Sequence, residues 1–144
     1  MLDGSYESKD KKQFGNYAGR ESIPEGRMIE KISAVTLATG DMARAIDFYS
    51  KLGFELRYGG SEASFTSYNV GDGYLNIELV KGYERSTLWG RVILYVSDVD
   101  ELYRRALNAG LLPSTAPRDA EWGERYFHIS DPDSHELSFA RLLT

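Results

Sequence analysis

The sequence predicts an α+β domain built from two copies of a βαβββ module, and three observations predict it. "ISAVTLATGDMARAIDFYSKLGF" and "GRVILYVSDVDELYRRALNAGL" share an order of alternating run, aspartate, helical stripe and glycine. Asp41 to Gly53 and Asp98 to Gly110 each span 12 positions, so the copies lie 57 residues apart. Each glycine is followed by short strand-like segments punctuated by turn residues. One such unit cannot close a sheet. The two are therefore expected to join their sheets edge to edge, as curled mixed sheets with helices outside and a concave cavity inside.

In order along the chain, residues 1–27 show neither a helical nor a strand period, and five acidic residues balance five basic ones. We read an N-terminal polar arm, residues 1–30, that Tyr6, Phe14 and Tyr17 could anchor on a surface; one domain follows over 31–144. Its modules are expected at about 31–86 and 87–144. On the first strand Val35, Leu37 and Thr39 share one face and Ala34, Thr36 and Ala38 the other. In the first helix Met42, Ala45, Ile46, Tyr49 and Leu52 form one apolar stripe, matched in the second by Val99, Leu102, Tyr103, Ala106 and Ala109. Asp41 and Asp98 stand as N-caps, and Gly53 and Gly110 as left-handed C-caps. The strands after the first helix are "FELRYGG", "EASFTSYNV" and "GYLNIELVK"; after the second they are "LLPSTAP", "ERYFHIS" and "HELSFARL", the last two joined by a "DPDS" turn.

Composition narrows the function. The formal charge of −5 gives no general electrostatic attraction to nucleic acid or to an anionic membrane surface, so neither is expected as a partner. With no cysteine there is no disulfide, thiolate metal site or thiol nucleophile. No apolar run approaches the roughly 20 residues of a membrane span, and the N-terminus lacks the order of a signal peptide, so a cytoplasmic protein is expected.

The strand-Asp-helix-"FYSKLGF" passage, "GDGYLNIEL" and the ending "WGERYFHISDPDSHELSF" resemble the vicinal oxygen chelate superfamily over about residues 31–143. That superfamily includes glyoxalase I, bleomycin resistance proteins, fosfomycin resistance transferases and extradiol dioxygenases. The resemblance implies paired βαβββ modules, a homodimer, and cavities that in metal-using members take ligands from the first and last strand of each module. The positions here that match those ligands are Ala34, Glu78, Arg91 and Ser138. One has no donor and one carries a permanent positive charge, so no metal is expected at the family's site. Arg91 and Glu78 are expected to face one another across it instead.

Strand alternation gives the cavity lining independently: Thr36, Asn76, Glu78, Arg91, Tyr95, Tyr126, His128 and Ser138 turn inward, with small or apolar neighbours among them. Three readings follow. The first is a metal-independent binder of a small organic molecule, to which Trp122 and Trp89 could add stacking rings. The second is a metal-free acid/base enzyme of isomerase or lyase type in which His128 or Glu78 moves a proton and Arg91 holds an oxyanion. The third takes one divalent metal on displaced ligands Glu78, His128 and Glu136. Within "DPDSHE", Asp131 and Asp133 are expected to fix the turn, and His135 to be a surface or turn residue rather than a ligand.

Overall fold

Asp41 and Asp98 open the two helices alike, each extended, with its carboxylate accepting the backbone N–H three residues on, from Arg44 and Glu101. The helices are α1, Met42–Lys51, and α2, Val99–Asn108. Gly53 and Gly110 follow with φ of 84° and 82°, the left-handed conformation that turns a chain off a helix and that a side chain resists. The predicted stripe of α1 is buried throughout, and α2 buries Val99 and Ala106 while Leu102 and Tyr103 pack against the core. Residues 28–84 and 89–144 are described in this computed structural model, and the N-terminal arm, residues 1–27, lies outside the described residues.

The strands are β1 (Ala34–Thr39), β2 (Glu55–Tyr58), β3 (Phe65–Val70), β4 (Gly73–Leu79), β5 (Arg91–Tyr95), β6 (Arg118–Asp119), β7 (Glu124–Ser130) and β8 (Glu136–Leu142). They form two four-stranded mixed sheets of the same design, β1-β4-β3-β2 and β5-β8-β7-β6. In each, the first strand runs parallel to the last and the other pairs are antiparallel. The module order βαβββ is thus present twice.

Two expectations about the strands fail. The weak strand "LLPSTAP" is not one: Pro113 and Pro117 have no N–H to give a ladder, and β6 forms just beyond them. Two bonds tie that stretch to β7 without making a ladder, from Ser114 N–H to the His128 carbonyl at 2.8 Å and from His128 N–H to Thr115 Oγ1 at 3.0 Å. Nor do the sheets meet edge to edge, since they stay separate among the described residues. Their helix-side faces instead share one core, in which Leu37 and Leu75 of one module join Leu94 and Phe139 of the other. The Phe54 and Phe139 rings meet edge-on across the junction at 6.2 Å.

The turn between β7 and β8 locks that junction. Asp131 Oδ1 accepts the backbone N–H groups of Asp133 and His135, both at 2.9 Å, as its turn role requires. Its other oxygen accepts the hydroxyl of Tyr49 on α1 at 2.8 Å. Asp133 crosses further, accepting from Thr39 Oγ1 at 2.5 Å, Gly40 N–H at 3.2 Å and Arg44 Nη2 at 3.0 Å. His135 is not a surface residue; it is only 4% exposed. Trp89 Nε1–H donates to its Nδ1 at 2.8 Å, so the ring proton sits on Nε2, which donates to the Ala38 carbonyl at 2.7 Å. A neutral imidazole with both nitrogens committed at a module junction has no lone pair left for a metal. Trp89 is correspondingly a junction residue.

No helix among the described residues is long and apolar enough to cross a membrane.

Candidate functional site

Because the core takes the helix-side faces, the opposite faces of both sheets are left for a ligand, and register fixes what stands on them. On the second sheet Arg118 lies opposite Tyr126, Tyr126 opposite Ala140, and Ala140 opposite Tyr95. The next row is His128, Ser138 and Ile93, and the one beyond it is Ser130, Glu136 and Arg91. On the first sheet Thr36, Asn76 and Ser67 form one row, and Ala38, Glu78 and Phe65 the next. All eight predicted lining residues therefore lie on the faces the alternation assigned them. They do not come together in one chain: Thr36, Asn76 and Glu78 stand on one sheet, and the other five on its partner sheet. A cleft of about 450 Å³ between β1 and β5 takes in Arg91, and one of about 390 Å³ near α2 takes in Tyr95. The remaining six line neither of these clefts.

The second sheet's free face carries an aromatic row. Trp122, 65% exposed, stacks on Tyr126 with ring centroids 5.6 Å apart and planes at 27°. The ring of Tyr126 in turn lies 4.9 Å from that of His128. Small Ala140 separates this row from Tyr95, whose hydroxyl donates to one oxygen of Glu124 while Trp122 Nε1–H donates to the other. These bonds hold the Glu124 carboxyl below its usual range, Tyr95 first and Trp122 second. Both oxygens of Glu124 are thus bonded, and Trp122 is held in place from its edge.

Charges on this face are mostly matched. Arg91 Nε donates to Glu136 Oε2 at 2.6 Å, directly opposite on the parallel strand. This corrects the expectation that Arg91 would pair with Glu78: cross-strand register puts Glu136 beside it, while Glu78 stands exposed on β4 between Ala38 and Phe65. Arg118 behaves differently. Its Nε donates to the Tyr126 hydroxyl at 2.7 Å and its guanidinium carbon lies 5.3 Å from that ring, with no carboxylate partner among the described residues.

His128 has a buried Nδ1 with no hydrogen-bond partner among the described residues. An N–H placed there would be a buried, unpaired donor, so the proton is favoured on Nε2. Burial first, then the positive charge of Arg91 against the opposing Glu136, and then Arg118, hold this imidazole below its ordinary value of 6.5. It is a neutral donor at pH 7. On the first sheet Asn76 Nδ2 donates to Thr36 Oγ1 at 3.3 Å, whereas Asn76 Oδ1 and Ser67 Oγ are buried with no partner among the described residues.

The four positions matching the family's metal ligands do not suit a cation: Ala34 has no donor, Ser138 offers a neutral hydroxyl, and Arg91 brings a guanidinium already paired with Glu136. The displaced set is divided, with Glu78 on the first sheet and His128 and Glu136 on the second. Among the described residues no three of His, Asp and Glu converge on one point.

The family model described as Glyoxalase/Bleomycin resistance protein/Dioxygenase superfamily matches residues 31–139. The chain belongs to this superfamily. Solved structures share its fold: a bleomycin resistance determinant encoded on the transposon Tn5 superposes with a TM-score of 0.65 at 22% identity, covering 78% of this chain and 98% of that one. A bleomycin-binding protein complexed with bleomycin gives 0.63 at 23%, with the same coverages. TioX from Micromonospora sp. ML1 gives 0.62 at 29%, covering 79% of this chain and 100% of that one. An uncharacterized Mycobacterium bovis protein is 46% identical over 48 residues, 33% of this chain and 32% of that one. An uncharacterized Mycobacterium tuberculosis protein shows the same identity over 28% of its length. The match thus spans about a third of the curated relatives.

Two residues of the aromatic face are missing from the expected lining. Arg118 falls outside the strand expected there, so no alternation could be applied to it. Glu124 opens β7 on the same face as Tyr126 and His128, where alternation along "ERYFHIS" would have placed it, and its bonds to Trp122 and Tyr95 fix its role.

Proposed function

We propose that this member of the superfamily binds a small organic molecule on the free face of the β5-β8-β7-β6 sheet, without using a metal. The observation that carries this is the Trp122–Tyr126–His128 row, a large aromatic surface held by hydrogen bonds at its edges and left open on Trp122. An exposed tryptophan fixed in one orientation loses little freedom when a flat molecule stacks on it. The structural relative complexed with bleomycin supports small-molecule binding on this fold.

The β5 edge of the face is open in one chain, with Ile93 and Tyr95 each 59% exposed, and a second copy is the natural cover. Light scattering at micromolar concentration should then return twice 16.2 kDa. A monomer would remove this part of the reading.

A thermal-shift screen of aromatic and dicarbonyl compounds, run in chelator and again with zinc, nickel or manganese, tests the central claim. Stabilisation of equal size in both conditions, absent in Trp122→Ala, is the expected result. Stabilisation that needs added metal would refute it.

A second reading, proton transfer by His128, starts from its imidazole held neutral at pH 7; it needs the tautomer with the proton on the buried Nδ1, which frees Nε2 to accept. Turnover lost in His128→Gln with unchanged ligand affinity would move this reading to first place.

A further inference from the structure

We infer that the ligand of the aromatic face is a flat ring bearing an anionic oxygen, such as an aryl carboxylate, and that Arg118 is its anchor. This rests on the binding reading above and adds the ligand's charge.

The hydrogen-bonding groups that this face leaves unspent set the ligand's charge. Its two acidic groups are committed: Glu124 accepts from Tyr95 and Trp122, and Glu136 accepts from Arg91. A cationic ligand would have to share a carboxylate that already has its donors, in Glu136 one already paired with a guanidinium. The unspent groups are donors instead. Arg118 uses one N–H on the Tyr126 hydroxyl and keeps the rest of its fork, with no carboxylate among the described residues to neutralise it. His128, its Nδ1 buried, presents Nε2–H. Both flank Tyr126: Arg118 directly opposite it across β6 and β7, and His128 two residues along β7, its ring against that of Tyr126. The stacking surface of Trp122 lies on the same ring.

A ring lying on Trp122 therefore has, at the Tyr126 end, a guanidinium and an imidazole N–H but no free acceptor. A carboxylate is matched by that set, and an ammonium is opposed by it. A neutral amide carbonyl would use the donors less strongly. Arg118 also has two attachments of its own, through Nε and over the Tyr126 ring, so its remaining N–H groups are pre-aimed.

The test compares three probes of one shape, 2-naphthoate, 2-naphthamide and 2-naphthylmethylammonium, titrated into the full chain. The indole N–H resonance of Trp122, assigned by its loss in Trp122→Phe, reports binding. The carboxylate should bind most tightly and the ammonium most weakly. Arg118→Gln should weaken the carboxylate at least about tenfold and leave the amide within about twofold, since only the charge-assisted bond is removed. Raising salt should weaken the carboxylate alone. Near-UV circular dichroism of Arg118→Gln, expected to match the parent, shows that the face is intact, and Arg118→Lys should restore part of the affinity. Equal binding of carboxylate and amide, or preference for the ammonium, would overturn the inference while leaving small-molecule binding standing. Failure of all three probes to move the Trp122 resonance would overturn both.

Discussion

Replacing Asp133 by Ala should cost the domain about 3 kcal/mol of stability. Its carboxylate is 2% exposed and belongs to the second module, yet its three partners, Thr39, Gly40 and Arg44, all belong to the first. Removing it strands the Gly40 N–H near a closed junction, takes the carboxylate from Arg44 and leaves the Thr39 hydroxyl only its bonds with Asp41. Deleting one member of a buried ion pair costs about 3–5 kcal/mol, and the low end applies because the Arg44 side chain is 42% exposed and can take up water. Asp133→Asn is the informative control. Its amide oxygen can still accept from Gly40 and Arg44, and Thr39 can turn its proton toward the Asp41 carbonyl, 3.0 Å away, and accept from the new amide nitrogen. Only charge is lost, at about 1 kcal/mol. Urea unfolding at pH 7 measures both variants. At about 2–4 °C per kcal/mol for a chain of this size, Asp133→Ala should also melt about 9 °C lower than the parent. A double-mutant cycle should assign more coupling to Asp133 with Thr39 than with Arg44, because the first contact is buried and the second is half in water. If Asp133→Ala costs less than about 1 kcal/mol, or as little as Asp133→Asn, the turn does not hold the modules together and the reasoning fails.

Three further outcomes are expected. Arg91→Met should cost only about 1 kcal/mol in urea unfolding, since its pair with Glu136 is 42% and 20% exposed; a loss near 4 kcal/mol would mean that the pair is sealed from water. Burial raises the Asp131 carboxyl above its ordinary 3.8 despite its three hydrogen bonds, so the stability it gives is fully present below 3.8 and is lost as pH rises through its folded value. The gap between the parent and Asp131→Asn should therefore be widest near pH 3.5 and narrow toward pH 6, and a gap that widens with pH would contradict this assignment. His128 has the opposite sign. Its depressed value means that the stability it gives is present above 6.5 and lost as pH falls through the folded value, so its imidazole resonance should titrate with a midpoint below 6.5; a midpoint above 6.5 would show that Glu136 outweighs burial and Arg91.

The fold was legible because its signals are local. An aspartate that caps, a stripe at helical spacing and a glycine at positive φ need only a dozen neighbouring residues, and in both modules each does what its chemistry requires. Alternation along a strand is equally local, which is why all eight lining residues fell on the free faces. What failed was every statement that needed to know which strands lie side by side. Arg91 was matched to Glu78 because both stand at positions that match the family's metal ligands, but they lie on different sheets; the parallel pairing of β5 with β8 brings it Glu136 instead. His135 lies near a turn of polar residues, and its burial follows from the second module lodging that turn against α1 and the end of β1, which no stretch around "DPDSH" encodes.

The same distinction explains why the aromatic face was seen only in part. Tyr126 and His128 come from alternation along one strand, and Trp122 from a motif, but their assembly with Arg118 and Glu124 depends on register and on side-chain bonds between neighbours. Arg118 sits on a strand of two residues, too short to carry a period, directly after a proline that breaks the one before it. Its position is set from across the sheet, by Tyr126, rather than from along its own chain. The residue to which we assign the ligand's charge is therefore one whose sequence surroundings say least about it. A two-residue edge strand costs the fold little to vary, so charge at this place can be altered without disturbing either core, whereas Tyr126 and Ala140, both nearly fully buried, cannot be altered so freely. Ligand selectivity on this face should accordingly follow substitutions at residue 118 much more readily than substitutions at 126 or 140.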